Sequence, residues 1–106
     1  PEGVRIHGWP YGRTIALASL VLDDARVLNL ETDQEFRPSW RTNGIGLPGY
    51  SAGWFKLRNG QKALAFITDR SRIAYIPTTE GYVVLLSVEN PDALVASLKR
   101  VALAGQ

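Results

Sequence analysis

Trp54-Phe55-Lys56-Leu57-Arg58, then Asn59-Gly60, then Gln61-Lys62-Ala63-Leu64-Ala65-Phe66-Ile67-Thr68 is the stretch that decides the fold class. Two apolar-polar runs flank a dipeptide whose residues both tolerate positive φ, which is the strongest local signature of a β-hairpin. Pairing Arg58 with Gln61 across a two-residue turn sets Phe55 opposite Leu64 and Leu57 opposite Lys62. Trp54 and Lys56 then face Ala65 and Ala63, so one face is apolar and the other carries the aromatic and the charge.

Further strands are expected on both sides of this hairpin. Val4-Arg5-Ile6-His7 alternates with period two and ends at Gly8, Pro10 and Gly12, with His7 on the polar face. Thr14 to Leu22 is an apolar run whose Ile, Val and Thr content favours a strand, Asp23-Asp24 reads as a turn, and Arg26 to Glu31 as the next strand. Ile73 to Ile76, stopped by Pro77, and Tyr82 to Val88, after a Thr78 to Gly81 turn, supply two more. Residues 32–53 mix Pro38, Pro48 and four glycines with Trp40 and Tyr50, show no clear period, and read as a long ordered loop.

Asn90-Pro91-Asp92 opens a helix: a side-chain cap, a proline at the first helical position and an acid in the first turn. Leu94, Leu98 and Val101 follow at i, i+4 and i+7, and that stripe is expected to pack a helix from about Pro91 to Leu103 on an open end or edge of the barrel, with Gly105 as its stop. The resulting fold class is mainly β, an antiparallel barrel or sandwich of about seven strands with one C-terminal helix.

Composition narrows the chemistry. The 106 residues include 12 Lys and Arg, 10 Asp and Glu, one His, no Cys and no Met, which suits a single domain and removes disulfides, thiolate metal sites and cysteine nucleophiles. Because translation begins with Met and the chain has none, it is expected to be a segment of a longer protein or a processed product, and no apolar run approaches the ~20 residues of a membrane span. Charge is uneven: residues 1–35 carry three Arg against six acids, residues 36–72 seven bases against Asp69 alone, and residues 73–106 two bases against three acids.

Two catalytic-looking strings fail on context. Gly49-Tyr50-Ser51-Ala52-Gly53 fits a nucleophile elbow, but that turn needs a strand before it, a helix after it and a downstream His, and His7 is the only His. Gly44-Ile45-Gly46-Leu47-Pro48-Gly49 fits a dinucleotide fingerprint, yet the strand-like Trp54 to Arg58 takes the place of the required helix. Asp23, Asp24, Glu31, Asp33 and Glu35 are too irregularly spaced for a calcium loop, so no metal or cofactor is expected. The candidate binding surface is Arg37, Trp40, Arg41, Tyr50, Trp54, Lys56 and Arg58, aromatics interleaved with cations. Such a set also suits nucleic acid, the weaker reading because part of the aromatic set belongs to the core.

Arg41-Thr42-Asn43-Gly44, Gly53-Trp54-Phe55 before Asn59-Gly60, and Leu86-Ser87-Val88-Glu89-Asn90-Pro91 before the last helix resemble the bacterial pleckstrin-homology-like domain family along nearly the whole chain. The resemblance implies a pleckstrin-like fold and a non-catalytic module of a membrane-associated protein, anchored through segments outside this chain. Such a module acts by protein or peptide contact or by self-association. The alternative is an anionic lipid or other anionic ligand bound by the basic middle third. Against the phosphoinositide-binding branch, the first turn, His7-Gly8-Trp9-Pro10-Tyr11-Gly12-Arg13, offers one Arg where such headgroups take several cations.

Overall fold

The computed structural model describes residues 3–6, 13–47 and 50–104, with side chains described at residue 15 and over 18–39 and 50–101. Among these residues there are eight strands: β1 (Gly3–Ile6), β2 (Arg13–Ala16), β3 (Arg26–Leu28), β4 (Pro38–Leu47), β5 (Tyr50–Leu57), β6 (Lys62–Ile67), β7 (Ile73–Pro77) and β8 (Val83–Leu86). One helix of 14 residues, α1 (Pro91–Ala104), follows them. The fold is mainly β with a C-terminal helix.

The strands form a two-stranded ladder, β1-β2, and a six-stranded sheet in the order β3-β7-β8-β6-β5-β4. The sheet stays open, with β3 and β4 as its edges, so the sandwich form of the expected class applies and the closed barrel does not. Antiparallel order throughout is also corrected: β8 lies between β6 and β7, antiparallel to β7 and parallel to β6. Residues 68–72 bridge the ~10 Å that two strand spacings require. Ser87, just past β8, secures this crossing, its hydroxyl oxygen accepting from the amides of Thr68 at 2.9 Å and Asp69 at 3.1 Å.

Residues 32–53 are not a long loop. Most of them form β4 and the first half of β5, paired from Pro38↔Leu57 to Leu47↔Tyr50. Glycine and proline hide the strand because local propensity scores them against it. Pro38 is the first residue of an edge strand, where a missing N–H costs little, and Gly53 takes φ +120° opposite Gly44. Three other strands are shorter than expected, β8 spanning only Val83–Leu86 of the run from Tyr82 to Val88. β2 ends at Ala16 and passes through a 3-10 turn, Leu17–Ser19, to an isolated bridge between Leu20 and Thr78. β3 ends at Leu28 because the Asn29 side chain accepts from the Glu31 amide at 2.9 Å while its carbonyl accepts from Asp33, closing a turn. The turn expected at residues 8–12 and the helix stop at Gly105 lie outside the described residues.

The central hairpin forms where expected but in a different register. Gly60 N–H donates to Leu57 C=O at 2.9 Å and Leu57 N–H to Gln61 C=O at 2.8 Å, so the loop has three residues. Gly60 takes φ +92°, the left-handed closing position of this loop type. The Asn59 side chain supports the turn by accepting from the Gln61 amide at 2.9 Å. The extra residue shifts the pairs to Phe55↔Ala63, Lys56↔Lys62 and Trp54↔Leu64.

Burial follows from the layers on both faces. On one, Phe55, Leu57, Ala63, Ala65, Ile73, Tyr75 and Leu85 pack with Leu30 and Phe36 of the 29–37 connection, which links the two sheet edges. On the other, Leu64, Ile76 and Val84 pack with Ile15 of β2 and Leu98 of α1. Coverage on both sides explains the unbroken apolar runs of β7 and β8. The helix opens as its cap predicts, Asn90 Oδ1 accepting from Ala93 N–H at 3.1 Å. Its contact residues differ: Leu98 and Val95 are buried and Leu94 half-buried, whereas Val101 is 43% exposed, because α1 lies on the sheet face over β7 and β3.

Candidate functional site

β4 and β5 carry the candidate surface along one end of the sheet. Their register sets Trp40 opposite Lys56, Arg41 opposite Phe55 and Leu47 opposite Tyr50. The backbones of Trp40 and Arg41 are thus placed on the edge strand, while their side chains lie outside the described residues. Tyr50, Lys56 and Arg58 are exposed and Trp54 is half-buried.

Arg37 belongs to the architecture. Its Nε donates to Leu30 C=O at 2.6 Å and its Nη2 to Glu31 C=O at 3.3 Å, holding the 29–37 connection in its turn. Its own carbonyl accepts from Arg58 N–H at 3.0 Å, and Glu35 C=O from Asn59 N–H at 2.9 Å, so the same connection supports the hairpin tip.

Trp54 stands edge-on to Tyr82, ring centres 5.1 Å apart at 82°. The Lys62 ammonium lies 4.8 Å from the centre of the Trp54 ring. Lys62 and Tyr82 were not among the candidates; the three-residue turn is what brings Lys62 to the Trp54 side of the sheet, opposite Lys56. Lys56, Arg58 and Lys62 form a cationic group at the hairpin end with no carboxylate partner among the described residues. The one ion pair there, Arg72 with Asp92, joins the β6–β7 connection to the start of α1.

Other polar groups are committed to the scaffold. The Arg26 guanidinium lies 4.7 Å from the Tyr75 ring centre and 5.5 Å from that of Phe36. The hydroxyl and amide of Ser71, both donating to Asp69, with Arg72 nearby, hold the Asp69 carboxyl below the usual carboxylate range. Gly44 and Gly46 lie inside β4 and Ser51 inside β5, so neither motif string has the strand-turn-helix setting its chemistry requires. Among the described residues no three His, Asp or Glu side chains gather into a metal-holding group, and no helix is long and apolar enough to cross a membrane. The edge strand β4 thus lies beside the exposed Tyr50, Lys56 and Arg58 and the half-buried Trp54.

The Bacterial PH domain family profile matches residues 1–102. Comparison with curated proteins and with solved structures finds no match.

Proposed function

The chain belongs to the bacterial PH domain family, and on that premise we propose that it is a non-catalytic binding module of a membrane-associated protein, working by protein or peptide contact. The observation that carries this reading is the β4–β5 surface, where Tyr50, Lys56 and Arg58 are exposed around a half-buried Trp54. Aromatic and cationic side chains in such a cluster are the usual composition of contact hot spots. Membrane association of the wider protein would come through segments outside this chain.

A second reading, an anionic lipid or other anionic ligand, draws on Lys56, Arg58 and Lys62, which share the hairpin end without carboxylate partners among the described residues. Photocrosslinking in cells separates the two. With p-benzoylphenylalanine replacing Tyr50, discrete protein adducts are expected, and none with the same group replacing Ser97 on the exposed side of α1. Lipid adducts at Tyr50 would favour the second reading, and no adducts at Tyr50 would remove the first.

A further inference from the structure

The sequence holds two Asn-Gly steps, Asn43-Gly44 within β4 and Asn59-Gly60 in the hairpin loop. At such a step the main chain can attack its own side chain, because glycine puts no Cβ in the way of the approaching nitrogen. At the hairpin the Gly60 nitrogen would lose its proton to hydroxide and bond to Asn59 Cγ. The Cγ–Nδ2 bond would then break, Nδ2 leaving as ammonia with a proton from water. Water opens the resulting cyclic imide, leaving aspartate if it cleaves at Cγ and isoaspartate if it cleaves at the main-chain carbonyl. Asn59 and Gly60 are both exposed, so burial does not keep water from this step.

Hydrogen bonds hold every group that the attack uses. Gly60 N–H donates to Leu57 C=O at 2.9 Å. Asn59 Oδ1 accepts from Gln61 N–H at 2.9 Å, and Asn59 Nδ2 donates to Gln61 Oε1 at 2.7 Å. The half-buried Gln61 is itself anchored, its Nε2 donating to the Tyr75 hydroxyl at 3.2 Å. Tyr75 is buried and stands edge-on to Phe36, ring centres 5.1 Å apart. Ring closure gives up two of these bonds: the nitrogen must shed the proton it shares with Leu57, and Nδ2 must leave Gln61 Oε1.

We infer that Asn59 is a deamidation site gated by opening of the hairpin, and that the Gln61 side chain, anchored on Tyr75, is the clamp that keeps it closed in the folded chain. Modification follows the fraction of time the loop spends open. Aspartate at position 59 places a negative charge beside Arg58, in the group that also holds Lys56 and Lys62, and lowers the positive charge of that surface. Isoaspartate also lengthens the main chain of a loop that Asn59 and Gly60 close. Neither reading of the binding surface is needed for this chemistry.

The test incubates the whole chain at mildly alkaline pH and follows both products at position 59 by peptide mapping with mass spectrometry. Each folded rate is divided by that of the same chain unfolded in guanidinium chloride. The folded parent is expected to react about tenfold or more slowly than the unfolded chain. Gln61→Ala should raise the folded rate about threefold or more, whereas Gln61→Glu, which keeps an oxygen acceptor for Nδ2, should stay within about twofold of the parent. Tyr75→Phe, which removes only the anchoring hydroxyl, should fall between them. Ser87→Ala, which loosens the distant β6–β7 crossing, should leave the rate unchanged. A folded parent as fast as the unfolded chain overturns the inference. So does Gln61→Ala as slow as the parent, Gln61→Glu as fast as Gln61→Ala, or Ser87→Ala as fast as either. Should Gln61→Ala fail to fold, Tyr75→Phe decides: a faster rate supports the clamp and an unchanged one removes it.

Discussion

Lys62 holds its ammonium 4.8 Å from the centre of the Trp54 ring, on the strand face where Lys56 is its direct cross-strand neighbour. The two relations oppose one another. A cation over a partly exposed indole contributes about 0.5–1 kcal/mol, and like charges directly opposed remove a similar amount. Lys62→Ala should therefore change stability by less than about 1 kcal/mol, whereas Trp54→Ala, which also loses the edge contact with Tyr82, should cost about 2–4 kcal/mol. Urea unfolding of both variants checks the ranking.

Arg37 and Arg58 should separate in the same assay. Arg37→Ala leaves the Leu30 and Glu31 carbonyls without their guanidinium donor and is expected to cost about 1–2 kcal/mol. Arg58 is exposed and contributes through its backbone amide, so Arg58→Ala should stay within about 0.5 kcal/mol. Equal losses would place Arg58 in the scaffold as well.

On the helix, Leu98→Ala should cost about 2–5 kcal/mol, because Leu98 fills the layer between α1 and the sheet. Val101→Ala should move the melting temperature little, Val101 being 43% exposed. Thermal melts in which Val101→Ala is the worse variant would contradict the placement of α1.

Ser87→Ala removes the acceptor shared by the Thr68 and Asp69 amides, the link that fixes β8 beneath the β6–β7 crossing. A loss of about 1–2 kcal/mol is expected. Hydrogen exchange should show it as faster opening at residues 68–72.

Asp69 makes the turn in that crossing sensitive to acid. Its carboxyl is held below the usual range by Ser71 and Arg72, so the folded state binds its proton less readily than the unfolded chain does. The stabilisation is fully present above the ordinary carboxylate pKa and is lost as pH falls through the lower folded value. Unfolding curves from pH 7 down to about pH 2 should show Asp69→Asn approaching the parent only at the acid end. A constant gap across that range would remove the Ser71 contacts as the cause.

Features set by near neighbours in the chain were legible in the amino-acid sequence alone. The Asn90 cap, the helix after Pro91 and the hairpin at Asn59-Gly60 each depend on contacts within a few residues, so residue identity and spacing sufficed. The family was legible through the same kind of short motif. The register of that hairpin was not: one added loop residue, held by Asn59 and Gly60, decides whether Lys62 meets Leu57 or Lys56, and two turn types compete at that dipeptide.

What only the tertiary structure decided is long-range. β4 is a strand because it lies at an edge beside β5, where its glycines and Pro38 are tolerated, and no local propensity contains that position. The parallel seat of β8 beside β6 depends on Ser87 reaching back across 18 and 19 residues to Asp69 and Thr68. Val95 replaced Val101 as a contact because helical spacing marks an apolar stripe but not where the supporting sheet ends. Around the candidate surface, Arg37 is bonded to the Leu30 carbonyl and Lys62 lies against Trp54, since a guanidinium's partners and a strand's neighbours are set by the packing of distant segments.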